Sequence, residues 1–196
     1  MKLPTFYNKI GLSSGIKGKT FVIQGFGNVG YWASKFFTKD KALITTLVEY
    51  NGAIHNPAGL DIEAAKEYMT KNGTLIGFPG ATEETAENPE SFMEKPCDFL
   101  IPAAAEKAIH KDNAGKLQCK AVIEAANGPT TFMAEEILLK RGIVVAPDLL
   151  MNGGGVTVSY FEWLKNLDHV TPGRMTKKYE EKSQVKLLEA LGYSAD

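Results

Sequence analysis

Three glycines at positions 25, 27 and 30, within GFGNVG, have the spacing GxGxxG. In that pattern the first glycine allows a tight backbone turn, the second leaves room for a bulky anion, and the third lets a following helix approach a strand closely. The unpaired N–H groups at the helix start then face the anion, so the chemistry this spacing suits is capture of a pyrophosphate. Taken alone the pattern is weakly specific. Here TFVIQ at 20–24 precedes it and the helix-compatible YWASKFFTK at 31–39 follows, the strand–turn–helix order of a dinucleotide-binding crossover.

Other residues fit the same chemistry. Glu49 lies 19 residues beyond Gly30, at the end of the apolar run ALITTLV. A carboxylate there accepts the ribose hydroxyls of an adenosine and repels a 2′-phosphate, which favours NAD over NADP; the competing reading is an ordinary acid at a strand end. Asn127-Gly128-Pro129 and Asn152-Gly153-Gly154-Gly155 each follow an expected strand. Both asparagines are candidates to hold an amide, a ribose or a substrate group, or else to serve as turns and helix caps.

Catalytic candidates are sparse. Asp148 is the acid beside the last glycine stretch, but no Lys or His lies near it in sequence, and a capping or ion-pairing role is the commoner fate of a loop carboxylate. His55, His110 and His169 are far apart and none is assigned a catalytic role. No metal site is expected, because Cys97 and Cys119 lack ligand spacing. They read as reduced thiols of an intracellular protein.

The elements that must position these residues alternate in type. DIEAAKEYMTK at 61–71 reads as a helix capped by Asp61 and stopped by Gly73, and TTFMAEEILLKRG as one with a Thr cap and Gly142 at its exit. CDFLIP at 97–102, KAVIEA at 120–125 and IVVAP at 143–147 read as strands whose nearly continuous apolar character fits parallel pairing under helices. The predicted fold is α/β, a Rossmann-like, doubly wound, mostly parallel sheet with a helical C-terminal extension. Residues 15–170 form the dinucleotide-binding domain and 171–196 the extension, with helices on either side of Pro172-Gly173.

Composition sets the outer limits. With 196 residues, 44% hydrophobic, and a formal net charge of −1, the chain has the makings of a folded domain and lacks the basic excess of a general nucleic-acid binder. Residues 61–110 carry ten acids against four lysines, and the run containing Glu83, Glu84, Glu87, Glu90 and Glu94 is expected to be a solvated loop or short helix. The first 18 residues lack the apolar core of a secretory signal, and no run reaches the roughly 18 apolar residues of a membrane helix. Neither nucleic acid nor a membrane is an expected partner.

The stretches KTFVIQGFGNVG, GFPGA, CDFLIPAAAEKAI, EAANGPTT, APDLLMNGGGVTVSYFEWLKNLDHV and GRMTKKYEE together resemble the coenzyme domain of animal-type hexameric glutamate dehydrogenase, over residues 15 to 189. The resemblance implies oxidative deamination of L-glutamate to 2-oxoglutarate and ammonium with NAD or NADP, in a homo-oligomer of the mitochondrial matrix. It implies that Gly25, Phe26, Gly27, Asn28, Val29 and Gly30 hold the pyrophosphate, that Glu49 holds the adenosine ribose, and that Ala103 and Ala104 line the coenzyme path. Asn127 and Asn152 match residues near the nicotinamide ribose and amide, Val156 and Ser159 match residues that contact glutamate, and 174–189 resembles the start of the antenna.

The sequence departs from the family pattern at Tyr50, Ala125 and Gly153, where Ser, Gly and Ala are usual. The family's substrate domain, with its catalytic lysine and aspartate, is not among these residues. The chain is therefore expected to bind coenzyme without turning over by itself, and a non-catalytic NAD-binding sensor or assembly protein is the alternative.

Overall fold

Residues 4–167 are described by a computed structural model. The opening helix α1 (Pro4–Lys9) precedes β1 (Thr20–Gln24), α2 (Asn28–Lys39), β2 (Leu43–Glu49), β3 (Gly52–His55) and α3 (Ile62–Asn72). Next come β4 (Glu83–Thr85), a 3₁₀ turn at Pro89–Glu94, β5 (Phe99–Pro102), the short α4 (Lys111–Ala114), β6 (Ala121–Ile123) and α5 (Phe132–Lys140). β7 (Val144–Ala146), α6 (Asp148–Met151) and α7 (Gly153–Leu167) complete the described elements. The chain divides into two compact units, Met1–Asn152 and Gly153–Asp196. His169, the boundary expected at 170/171, the helices about Pro172-Gly173 and the segment 174–189 lie outside the described residues.

The seven strands form one sheet in the order β4-β3-β2-β1-β5-β6-β7. β2, β1, β5, β6 and β7 run parallel, while β3 and β4 are antiparallel additions at one edge. This is the expected Rossmann-like arrangement, followed by C-terminal helices. β1 lies between β2 and β5, so the chain builds the sheet outward in one direction from β1 and then returns to build in the other. Ligand crevices of open α/β sheets lie at this change of direction, beyond the carboxyl ends of the strands.

The central strands are buried on both faces. Phe21 and Ile23 of β1 join Phe99 and Ile101 of β5 in one apolar cluster, whereas the intervening Val22 and Leu100 enter a second cluster with Val122, Ala134 and Leu138. That alternation places one core on each side of the sheet. Phe21 stacks between Phe37 and Phe99 with ring centroids 4.9 Å away on both sides. At the strands' amino ends, Asp98 Oδ2 accepts from Thr20 N at 2.9 Å and from Thr20 Oγ1 at 3.2 Å, holding β1 and β5 in register.

The helix ends follow their sequence signals. Asp61 Oδ1 accepts from Ala64 N at 3.0 Å, and Gly73 closes α3 at φ 73°. Thr131 Oγ1 accepts from Ala134 N at 3.4 Å, and Gly142 turns out of α5 at φ 76°.

Three features differ from the expectation. β2 turns back through Tyr50 and Asn51, with Glu49 paired to Gly52, because two residues permit a hairpin but not a crossover to a parallel neighbour. The start of the acidic run then supplies an edge strand, as Glu83, Glu84 and Thr85 pair with His55, Ile54 and Ala53, whereas Glu87 lies in a loop and Glu90 and Glu94 in the short 3₁₀ turn, as expected. The glycines at 153–155 belong to helix α7 and not to a loop.

Candidate functional site

The carboxyl ends of β1 and β5 bring two sequence-distant turns into contact. Gly25 follows β1 at φ 91°, and a β-carbon there would lie 2.6 Å from Ala104 Cβ and 3.1 Å from the carbonyl carbon of Ala103. No side chain fits, and the positive φ independently favours glycine. Gly25 N donates to Val48 O at 2.7 Å and Ala103 N to Gln24 O at 2.7 Å, so the turn is tied to both neighbouring strands.

The three glycines have different roles. Gly30 is buried in the first turn of α2, where a β-carbon would sit 1.8 Å from Gly25 O. Gly27, the residue before α2, has no atom within 4 Å of an added β-carbon and is exposed, as are Asn28 and Val29. Gly25 and Gly30 are therefore required by internal packing. Gly27 leaves open space in front of the helix start, where the unpaired N–H groups lie.

Glu49 reaches back to the same loop. Its Oε1 accepts from Phe26 N, and Lys66 Nζ on α3 donates to Phe26 O at 3.3 Å while lying over the Phe26 ring. The buried Phe26 thus anchors the turn, with a carboxylate and an ammonium group on its two backbone atoms. A cleft of about 460 Å³ opens beside it, lined by Gln24 and Gly25, by Val48, Glu49 and Tyr50, and by Ala104 and Ala105. Glu87, Asn88, Pro89 and Glu90 also line it.

A second cluster lies beyond β6 and β7. Asn152 Nδ2 donates to Asn127 Oδ1 at 3.2 Å and to Ala126 O at 3.3 Å, so the two asparagines singled out in the sequence meet. Asp148 holds this corner together, accepting from Gly128 N at 2.8 Å and Leu149 N at 2.6 Å, while its own N–H donates to the buried Glu124 at 2.9 Å. Its carboxylate serves as an acceptor of backbone N–H groups, while Pro147 stands at the cap position of α6. Ala125 keeps a negative φ and donates to Pro102 O at 2.9 Å, so alanine is accommodated at this departure from the family pattern.

The remaining candidates are placed separately. Val156 and Ser159 lie on α7, in the second unit, where Ser159 Oγ donates to Gly155 O at 3.1 Å. His110 caps α4 through Asp112 N, and His55 is buried in β3 against Thr46. Among the described residues, no group of three His, Cys, Asp or Glu is arranged to hold a metal ion. No described helix is long and apolar enough to cross a membrane. Sequence reasoning missed Gln24, Lys66, Glu87 and Glu90 at this site. The acidic run was visible, but only the sheet topology shows which of its members face the cleft.

Residues 4–191 match the family model described as glutamate/leucine/phenylalanine/valine dehydrogenase. The chain belongs to that dehydrogenase family. It is 56% identical over 181 residues to a protein named mitochondrial glutamate dehydrogenase from Dictyostelium discoideum, covering 92% of this chain and 36% of the relative. It is 48% identical over 177 residues to a probable glutamate dehydrogenase of Sinorhizobium fredii, covering 90% of this chain and 40% of the relative.

Among solved structures, a hetero-hexameric glutamate dehydrogenase from Thermus thermophilus matches with a TM-score of 0.74 at 28% identity, over 97% of this chain and 45% of that one. The Peptoniphilus asaccharolyticus glutamate dehydrogenase matches at 0.67 and 29% identity, over 96% and 42%. The chain thus spans less than half the length of these dehydrogenases.

Proposed function

We propose that the chain is the NAD(P)-binding part of a glutamate dehydrogenase, an enzyme that oxidatively deaminates L-glutamate to 2-oxoglutarate and ammonium. The observation that carries this reading is the contact of Gly25 with Ala104 at the point where the sheet reverses its order, beside the open space in front of Gly27. Such a cradle fits a dinucleotide because backbone N–H groups can approach a pyrophosphate without an intervening side chain.

In this reading Gly25 to Gly30 hold the pyrophosphate. Glu49 keeps Oε1 on Phe26 N and offers Oε2 to the adenosine ribose. Ala103 and Ala104 line the path, Asn127 and Asn152 orient the nicotinamide ribose and amide, and Val156 and Ser159 contact glutamate in the whole enzyme. The bound NAD or NADP supplies the hydride acceptor. No proton-transfer role is assigned to Asp148, whose two oxygens are occupied by backbone donors. The base belongs to a substrate-binding part of the enzyme, as does assembly into a homo-oligomer. A mitochondrial setting is supported by the name of the Dictyostelium relative.

Calorimetric titration of the folded chain with NADH tests the site. Saturable binding is expected, weakened about tenfold or more in Gly27→Ala, whose methyl group enters the cradle without touching protein. Absence of binding by the folded wild-type chain would overturn the reading. Glutamate-dependent NADH formation by the chain alone would overturn the assignment of the base to another part of the enzyme.

A further inference from the structure

The cleft beside Gly25 carries more negative charge than Glu49 supplies. Glu87 and Glu90 line it from the segment that leads into β5, and its lining includes no Lys, Arg or His. The acids of that segment fall into two groups. Glu83 pairs with Lys95, Glu84 accepts from Gly77 N at 2.6 Å, and Glu94 lies 3.7 Å from Lys116. Glu87 and Glu90 have no hydrogen-bond or ion-pair partner among the described residues, and both are exposed. The acids that face the cleft are thus the ones left without partners. Lys66 approaches the glycine loop from α3, but its ammonium donates to Phe26 O and does not line the cleft.

We infer that Glu87 and Glu90 are specificity-determining residues that act with Glu49 to exclude a coenzyme bearing a 2′-phosphate, so that the chain selects NAD(H) over NADP(H). The inference rests on the coenzyme reading of the cleft: the carboxylates do not make the site, they set which dinucleotide enters it. Ribose hydroxyls are donors and suit an acid-lined wall. A phosphate in their place brings nearly two further negative charges and no donor, so discrimination arises by repulsion of the wrong ligand. Glu87 and Glu90 are solvated, and their effect on a phosphate in the cleft is therefore screened by salt.

The test is titration of the whole chain with NADH and NADPH, in wild-type protein and in the Glu87→Gln/Glu90→Gln double variant, at low and high ionic strength. At low salt the double variant should tighten NADPH about threefold to tenfold while changing NADH by less than about twofold. Added salt should narrow the NADH-over-NADPH preference of the wild type more than that of the variant. Glu94→Gln, a charge change on the same segment outside the cleft, should leave the preference unaltered.

An unchanged NADPH affinity in the double variant, with NADH still bound, would overturn the inference and leave the coenzyme reading standing. An equal shift in Glu94→Gln would overturn it as well, because net charge would then explain the effect. Failure of the folded wild type to bind NADH would overturn both.

Discussion

A β-carbon on Gly30 would come to 1.8 Å from the carbonyl oxygen of Gly25, so the two glycines that bound the turn are in backbone contact. This contact fixes the angle at which α2 leaves β1, and Ser34 Oγ, donating to Gly30 O at 2.7 Å, continues the buried polar path along the helix. The close packing that seats the helix on the sheet therefore also shapes the anion cradle.

Gly30→Ala should destabilise the fold strongly, although alanine is favoured over glycine inside a helix by about 1 kcal/mol. The obstructing atom is backbone, with Ile23 Cγ2 a further 3.2 Å contact, so α2 must shift as a body. A loss of about 3 kcal/mol is expected from urea denaturation. A variant as stable as the wild type would contradict the packing role of Gly30.

Folding stability should also respond to His55. Burial is the main cause holding its pKa below the ordinary value, with the charge of Lys95 adding to it. The folded state consequently binds its proton less readily than the unfolded chain, so the His55 contribution is present above the unfolded value of about 6.5 and is lost as pH falls through the lower folded value. Urea midpoints from pH 8 to 5 should fall on acidification, with a shallower slope in His55→Asn, whose amide can still hydrogen-bond Thr46 Oγ1 in place of Nδ1. Equal slopes would remove His55 as the cause.

The two cysteines should be inert in the native protein. Burial raises the Cys97 thiol far above its usual range and pushes that of Cys119 up to about 11, leaving little thiolate near neutrality. Reaction with an aromatic disulfide reagent at pH 8 is expected to be slow until denaturant is added, when both thiols react. Rapid labelling of the native chain would show that the second core cluster, which holds both, opens readily.

Much of the frame was legible because its signals are local. Asp61 and Thr131 cap the helices that their spacing announced, Gly73 and Gly142 end them at positive φ, and TFVIQ forms β1 with its expected bounds. The Tyr50-Asn51 hairpin escaped notice because it lacks the Asn-Gly or Asp-Gly signature of tight reversals. Glu83–Thr85 escaped because an edge strand partly exposed to water needs no apolar alternation.

The residue pattern by itself determined the order of strand, glycine turn and helix, the positions of the caps, and Glu49 at the end of β2. These depend on backbone preferences and neighbours within a few residues. Tertiary structure alone decided that Gly25 meets Ala104, that Asn127 meets Asn152, and that Asp148 spends its carboxylate on backbone donors. It also decided which acids of one charged run face the cleft and which find partners elsewhere. The physical reason is that contacts between residues on different elements are set by strand order in the sheet, and strand order is a property of the whole packed core that no local spacing encodes.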